Sequence, residues 1–115
     1  MATLSTHVLD LARGVPAAGL SVGLFKLNGE RELVHVAVTN AEGRTDAPLA
    51  TDLQPGDYEL AFAVMDYFAL EDVATFYDEI PIRFRITDAA GHYHVPLLLS
   101  PWGYSTYRGS SSPPK

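Results

Sequence analysis

The chain has 115 residues, with 14 acidic against 8 basic side chains, no cysteine and a formal charge of −6. That balance argues against broad electrostatic contact with nucleic acid or anionic membrane. The missing cysteines exclude disulfides, thiolate metal sites and cysteine nucleophiles.

Strict alternation of apolar and polar residues, the mark of a half-buried strand, recurs along the chain. His7 to Leu11 is a short first strand, closed by the turn Gly14-Val15-Pro16. Leu20 to Leu27 is a second, and Asn28-Gly29 after it signals a hairpin, because both residues tolerate positive φ. Val34, Val36 and Val38 share one face of the returning strand, and His35 between them points to the surface. Turns at Glu42-Gly43 and Gln54-Pro55-Gly56-Asp57 lead to the alternating set Tyr58, Leu60, Phe62 and Val64.

The period then changes. Leu70, Val73, Ala74 and Tyr77 fall at i, i+3, i+4 and i+7, which predicts a short helix over Tyr67 to Phe76 with Asp66 as its N-cap. Ile80 to Thr87 returns to strict alternation, and after Ala90-Gly91 a last clear strand runs from Tyr93 to Leu99. Seven or eight short strands with one short helix predict an antiparallel β-sandwich.

With 47% hydrophobic and 19% charged residues, the composition is that of one globular domain, which buries about two-thirds of its unfolded surface at this size. Residues 1–110 form that domain, and the serine- and proline-rich 111–115 read as a flexible extension. No apolar run approaches the ~20 residues of a membrane span. Met1 to Leu9 lacks the features of a secretion signal, so the expected location is the cytoplasm.

Phosphate-binding glycine loops, zinc helices and serine elbows are absent as motifs. His92 and His94 form an H-x-H pair whose rings share a strand face. Such a pair can bind zinc only with a third ligand, which neither a cysteine nor a nearby acidic pair supplies; otherwise these are two polar residues at a strand entrance. His7 shares a face with Leu9 and Leu11, an odd place for an imidazole without a role. Arg44 and Arg108, taken alone, read as surface arginines.

Three segments resemble one family. They are Ser5-Thr6-His7-Val8-Leu9-Asp10 running into Gly14-Val15-Pro16-Ala17, then Gly43-Arg44-Thr45-Asp46, and His94-Val95-Pro96-Leu97-Leu98-Leu99-Ser100-Pro101 ending in Tyr107-Arg108-Gly109-Ser110. In this order they look like the transthyretin-related 5-hydroxyisourate hydrolases. The terminal Tyr-Arg-Gly-Ser is the most specific element, since the hormone carrier of the same fold lacks it.

The resemblance implies an eight-stranded sandwich with one short helix and a homotetramer with active sites between dimers. The implied reaction opens the ring amide of 5-hydroxyisourate, without metal or organic cofactor. It implies His7, Arg44, His94 and Ser110 as the catalytic set, with Arg44, Tyr107 and Arg108 binding substrate; His92 has no match. Which histidine starts as base is not decided by the sequence. The chain departs from the family by continuing past the serine with Ser111-Ser112-Pro113-Pro114-Lys115. A rival reading is a transthyretin-like carrier, against which stand His7 and Arg44, where the carrier has a lysine and a glutamate.

Overall fold

Alternating apolar residues from both ends of the chain meet in one core between two sheets. The structure, a computed structural model, describes residues 2–109. Its strands are β1 (Ala2–Asp10), β2 (Val15–Pro16), β3 (Ser21–Leu27), β4 (Arg31–Val38), β5 (Ala50–Leu53), β6 (Gly56–Phe62), β7 (Ile80–Ile86), β8 (His92–Ser100) and β9 (Gly103–Thr106). One helix, α1 (Val64–Leu70), follows β6. The first sheet runs β2-β1-β8-β9, with β5 also paired to β1, and the second runs β4-β3-β6-β7. The expected β-sandwich is thus present, with the two-residue β2 and the short β5 sharing one edge of β1.

Leu4 and Val8 of β1, Leu24 of β3, Leu60 and Phe62 of β6, and Leu97 and Leu99 of β8 have no exposed surface. Each contributes about 1.5–3 kcal/mol of burial. One pairing departs from the antiparallel expectation: β1 and β8 run parallel over eight paired positions, from Thr3 opposite His92 to Asp10 opposite Leu99. This pair builds the site described below.

β1 also starts five residues before the strand expected from His7. Thr6 looks polar, but its hydroxyl is buried and donates to the Val95 carbonyl at 2.7 Å, so it belongs to the core face with Leu4 and Val8. Leu11, expected on the strand, lies past its end and is exposed. There the buried Asp10 carboxylate accepts from the Tyr67 hydroxyl at 2.8 Å and from the amides of Ala12 and Arg13, tying α1 to the first sheet. Burial and this hydrogen bond push the Tyr67 phenol up to about 12.

The helix is shifted towards the N-terminus relative to the expectation. Val64, Tyr67 and Phe68 bury its inner face, Asp66 sits in the first turn, and Ala63 occupies the cap position without a side-chain bond. Asp72 ends it in a left-handed conformation (φ 55°). The amides of Asp72 and Val73 turn back to the carbonyls of Ala69 and Phe68, the bond pattern usually built on glycine. Val34, Val36 and Val38 lie on edge strand β4 and are 46–57% exposed instead of facing the core. His35 is exposed, as expected. The Asn28-Gly29 hairpin is present, with Gly29 at φ 92°.

Candidate active site

Alternation along β1 and β8 sends every second residue outward from the core, and the parallel register decides which outward residues are neighbours. From β1 these are Thr3, Ser5, His7 and Leu9; from β8, His92, His94, Pro96 and Leu98. Thr3 pairs with His92, Ser5 with His94 and His7 with Pro96, so His7 and His94 are diagonal neighbours. The Ser5 hydroxyl lies 2.8 Å from His94 Nδ1 and 3.5 Å from His92 Nε2. The Thr3 hydroxyl is hydrogen-bonded to His92 Nδ1.

Arg44 reaches this face from the loop after β4. The loop is shaped by Asn40, whose side-chain oxygen accepts from the amides of Glu42 (2.9 Å) and Arg44 (3.2 Å). The Asn40 side-chain amide donates to Asp46 at 3.0 Å. Gly43, buried at φ 75°, lets the loop touch β1: its carbonyl accepts from the Val8 amide at 2.8 Å. A Cβ at Gly43 would stand 2.3 Å from the Val8 carbonyl oxygen and 3.3 Å from His7 Cδ2. The loop thus packs against His7 and leaves Arg44 exposed beside it.

Burial, and then the Arg44 charge, lower the pKa of His7 below its ordinary value, with the Glu42 backbone and carboxylate opposing. Burial also lowers that of His94, followed by the charges of Arg44, His7 and His92. Both imidazoles are therefore mainly neutral at pH 7, the form that can accept a proton. The folded values lie below the unfolded 6.5, so the unfolded chain binds more protons in that window. Stability is complete above about pH 6.5 and falls as pH drops through that value towards the folded ones.

A cleft of about 330 Å³ is lined by Thr3, Ser5, Arg44, Thr45 and His92. His94 adjoins it through Ser5, and His7 packs on Gly43, the residue before Arg44. The structure therefore brings together three of the four residues expected to be catalytic: His7, Arg44 and His94. Ser110, like the extension 111–115, lies outside the described residues. Its neighbour Gly109 donates its amide to the His94 carbonyl at 2.7 Å. A Cβ on Gly109 would come 2.5 Å from His94 Cδ2, so the end of the described chain packs directly on this imidazole.

Tyr107 and Arg108 are not brought to the histidines. The Arg108 guanidinium sits 4.5 Å over the ring of Tyr93, which faces the opposite side of β8 from His92 and His94. Both residues line a separate cavity of about 270 Å³ with Phe84 and Tyr93. Conversely, Thr3, Ser5 and His92 belong to the cleft although the sequence reading assigned them no role. The signal was the run Thr3-x-Ser5-x-His7 facing His92-x-His94, legible only once the strands are known to pair in parallel.

Comparison with known proteins gives the family and the fold. A sequence profile of the Transthyretin family, described as the HIUase/Transthyretin family, matches residues 4–109. The chain is 54% identical over 113 residues to a Deinococcus radiodurans protein named 5-hydroxyisourate hydrolase, covering 93% of this chain and 95% of the relative. The solved 5-hydroxyisourate hydrolase of Klebsiella pneumoniae superposes with a TM-score of 0.83 at 40% identity, over 94% of this chain and 99% of that one. Sea bream transthyretin, solved in complex with thyroxine, superposes with a TM-score of 0.90 at 25% identity, over 98% and 99% of the two chains.

Proposed function

The chain belongs to the HIUase/Transthyretin family, and on that premise we propose that it hydrolyses 5-hydroxyisourate. Water adds to the ring amide carbonyl, the carbon–nitrogen bond of the tetrahedral intermediate breaks, and the product is 2-oxo-4-hydroxy-4-carboxy-5-ureidoimidazoline. The observation that carries this reading is the cluster of two depressed histidines and one unburied arginine on a single sheet face.

Each group has a task that its chemistry suits. One neutral imidazole takes a proton from water and becomes an imidazolium, and that proton passes to the leaving nitrogen with the other imidazole as relay, a type of catalysis worth about 100- to 10,000-fold. The planar fork of Arg44 holds the substrate carbonyls and stabilises the oxyanion. Ser110 relays protons. A small polar heterocycle fits a cleft lined by imidazole, guanidinium and hydroxyl groups better than an iodinated hydrophobe does, which favours the hydrolase over a carrier.

The working form is a homotetramer in the cytoplasm. Leu9 and Leu98 share the outward face with the histidines, and a face mixing leucines with imidazoles suits a subunit interface. Hydrolysis in ¹⁸O-labelled water tests the chemistry. The proposal expects rapid consumption of 5-hydroxyisourate with one label in the new carboxylate; ligand binding without turnover would instead establish the carrier.

A further inference from the structure

We propose that Ser5 and His92 are positioning residues of this site. With Thr3 they form the hydrogen-bonded chain Thr3–His92–Ser5–His94, which holds neutral His94 with its proton on Nε2. His94 then begins the reaction as a hydrogen-bond donor through Nε2, and His7 is the base. This deepens the hydrolase reading and rests on it for the roles, though not for the tautomer.

A hydroxyl has one hydrogen to give, and a neutral imidazole has one N–H and one bare nitrogen. Written from Thr3, the hydroxyl donates to His92 Nδ1, His92 Nε2–H donates to Ser5, and the Ser5 hydroxyl donates to His94 Nδ1 at 2.8 Å. Every link then carries one hydrogen, and the one left over is the Nε2–H of His94. In this direction His94 Nδ1 accepts, and its hydrogen sits on Nε2. Written the other way, the hydrogen left over is that of the Thr3 hydroxyl, which has no partner but His92 among the described hydrogen bonds.

The backbone makes the chain rigid. Thr3 faces His92 and Ser5 faces His94 in the parallel register, so both hydroxyls are placed by a continuous ladder and not by a loop. Ser5 occupies Nδ1 of His94, which leaves Nε2 as the nitrogen available for proton transfer, next to the Cδ2 edge on which Gly109 packs. The Ser5–His92 contact, at 3.5 Å, is the longest link. Loss of His92 is therefore expected to weaken the ordering less than loss of Ser5.

His7 lacks such a hydroxyl partner among the described hydrogen bonds. It packs against Gly43 and the Glu42 backbone instead, which leaves it free to take a proton from water.

Ring-nitrogen NMR of the ¹⁵N-histidine-labelled full chain, without substrate and at a pH where His94 is neutral, reads the tautomer directly. The wild type is expected to show a bare Nδ1 and a protonated Nε2 for His94. Ser5→Ala is expected to show averaged shifts of two tautomers and a kcat about 3- to 10-fold lower with KM little changed, the scale of one lost hydrogen bond. Ser5→Thr is expected to restore both. His94 carrying its proton on Nδ1 in the wild type would overturn the proposal, as would a Ser5→Ala protein with unchanged tautomer and turnover. Either result leaves the hydrolase reading intact, and an inactive wild type with the expected tautomer would refute only that reading.

Discussion

Replacing Arg44 by alanine is expected to lower kcat about 100- to 1000-fold, the usual cost of removing a positioned oxyanion donor, while the protein melts as the wild type does. The second half follows from how the loop is built. Asn40 bonds the backbone of Glu42 and Arg44 and the side chain of Asp46, so the loop is held without the guanidinium. Among the described residues Arg44 takes part in no ion pair, and it is exposed. Its charge is the second cause depressing both histidines, so their pKa values should also rise in the variant. A protein that keeps a tenth or more of wild-type turnover would contradict the role given to Arg44.

Gly43→Ala is expected to damage both stability and activity, for a different reason. At φ 75° any Cβ is strained, and here it would lie 2.3 Å from the Val8 carbonyl oxygen and 3.1 Å from Pro16 Cβ. The loop must move off β1, which breaks the bond from the Val8 amide to the Gly43 carbonyl. Left-handed strain of about 1–2 kcal/mol and a lost hydrogen bond of about 1 kcal/mol set the minimum cost. The same movement carries Arg44 away from His7, so turnover should fall towards that of Arg44→Ala. Thermal denaturation beside kcat checks the pair; a variant that melts and turns over as the wild type does would show that the loop does not need this contact.

Strand positions were legible because alternation reports a one-sided core directly. Ile80, Ile82, Phe84 and Ile86, and Tyr58, Leu60 and Phe62, fell where their burial requires. The helix was misplaced because its end is made by Asp72 in a conformation usually reserved for glycine, so the sequence carried no stop signal there. Val34, Val36 and Val38 show the limit of alternation, which identifies a strand but not which of its faces the core covers.

The same limit governs the site. His7 and His94 were suspected from imidazoles on apolar strand faces, and Arg44 entered through the family motif. Thr3, Ser5 and His92 escaped because their proximity depends on the direction and register of two strands about 90 positions apart. No local pattern encodes that pairing; it emerges when Leu4, Thr6 and Val8 enter the same core as Val95, Leu97 and Leu99.

The central claim is that paired neutral imidazoles open the ring of 5-hydroxyisourate, and the ultraviolet decay of the freshly generated compound tests it most directly. Wild-type protein should accelerate the decay well beyond the uncatalysed trace, and His7→Ala should return it close to that baseline, about 100-fold or more below wild type. Decay at the uncatalysed rate with the wild type, or equal acceleration by wild type and His7→Ala, would contradict the account.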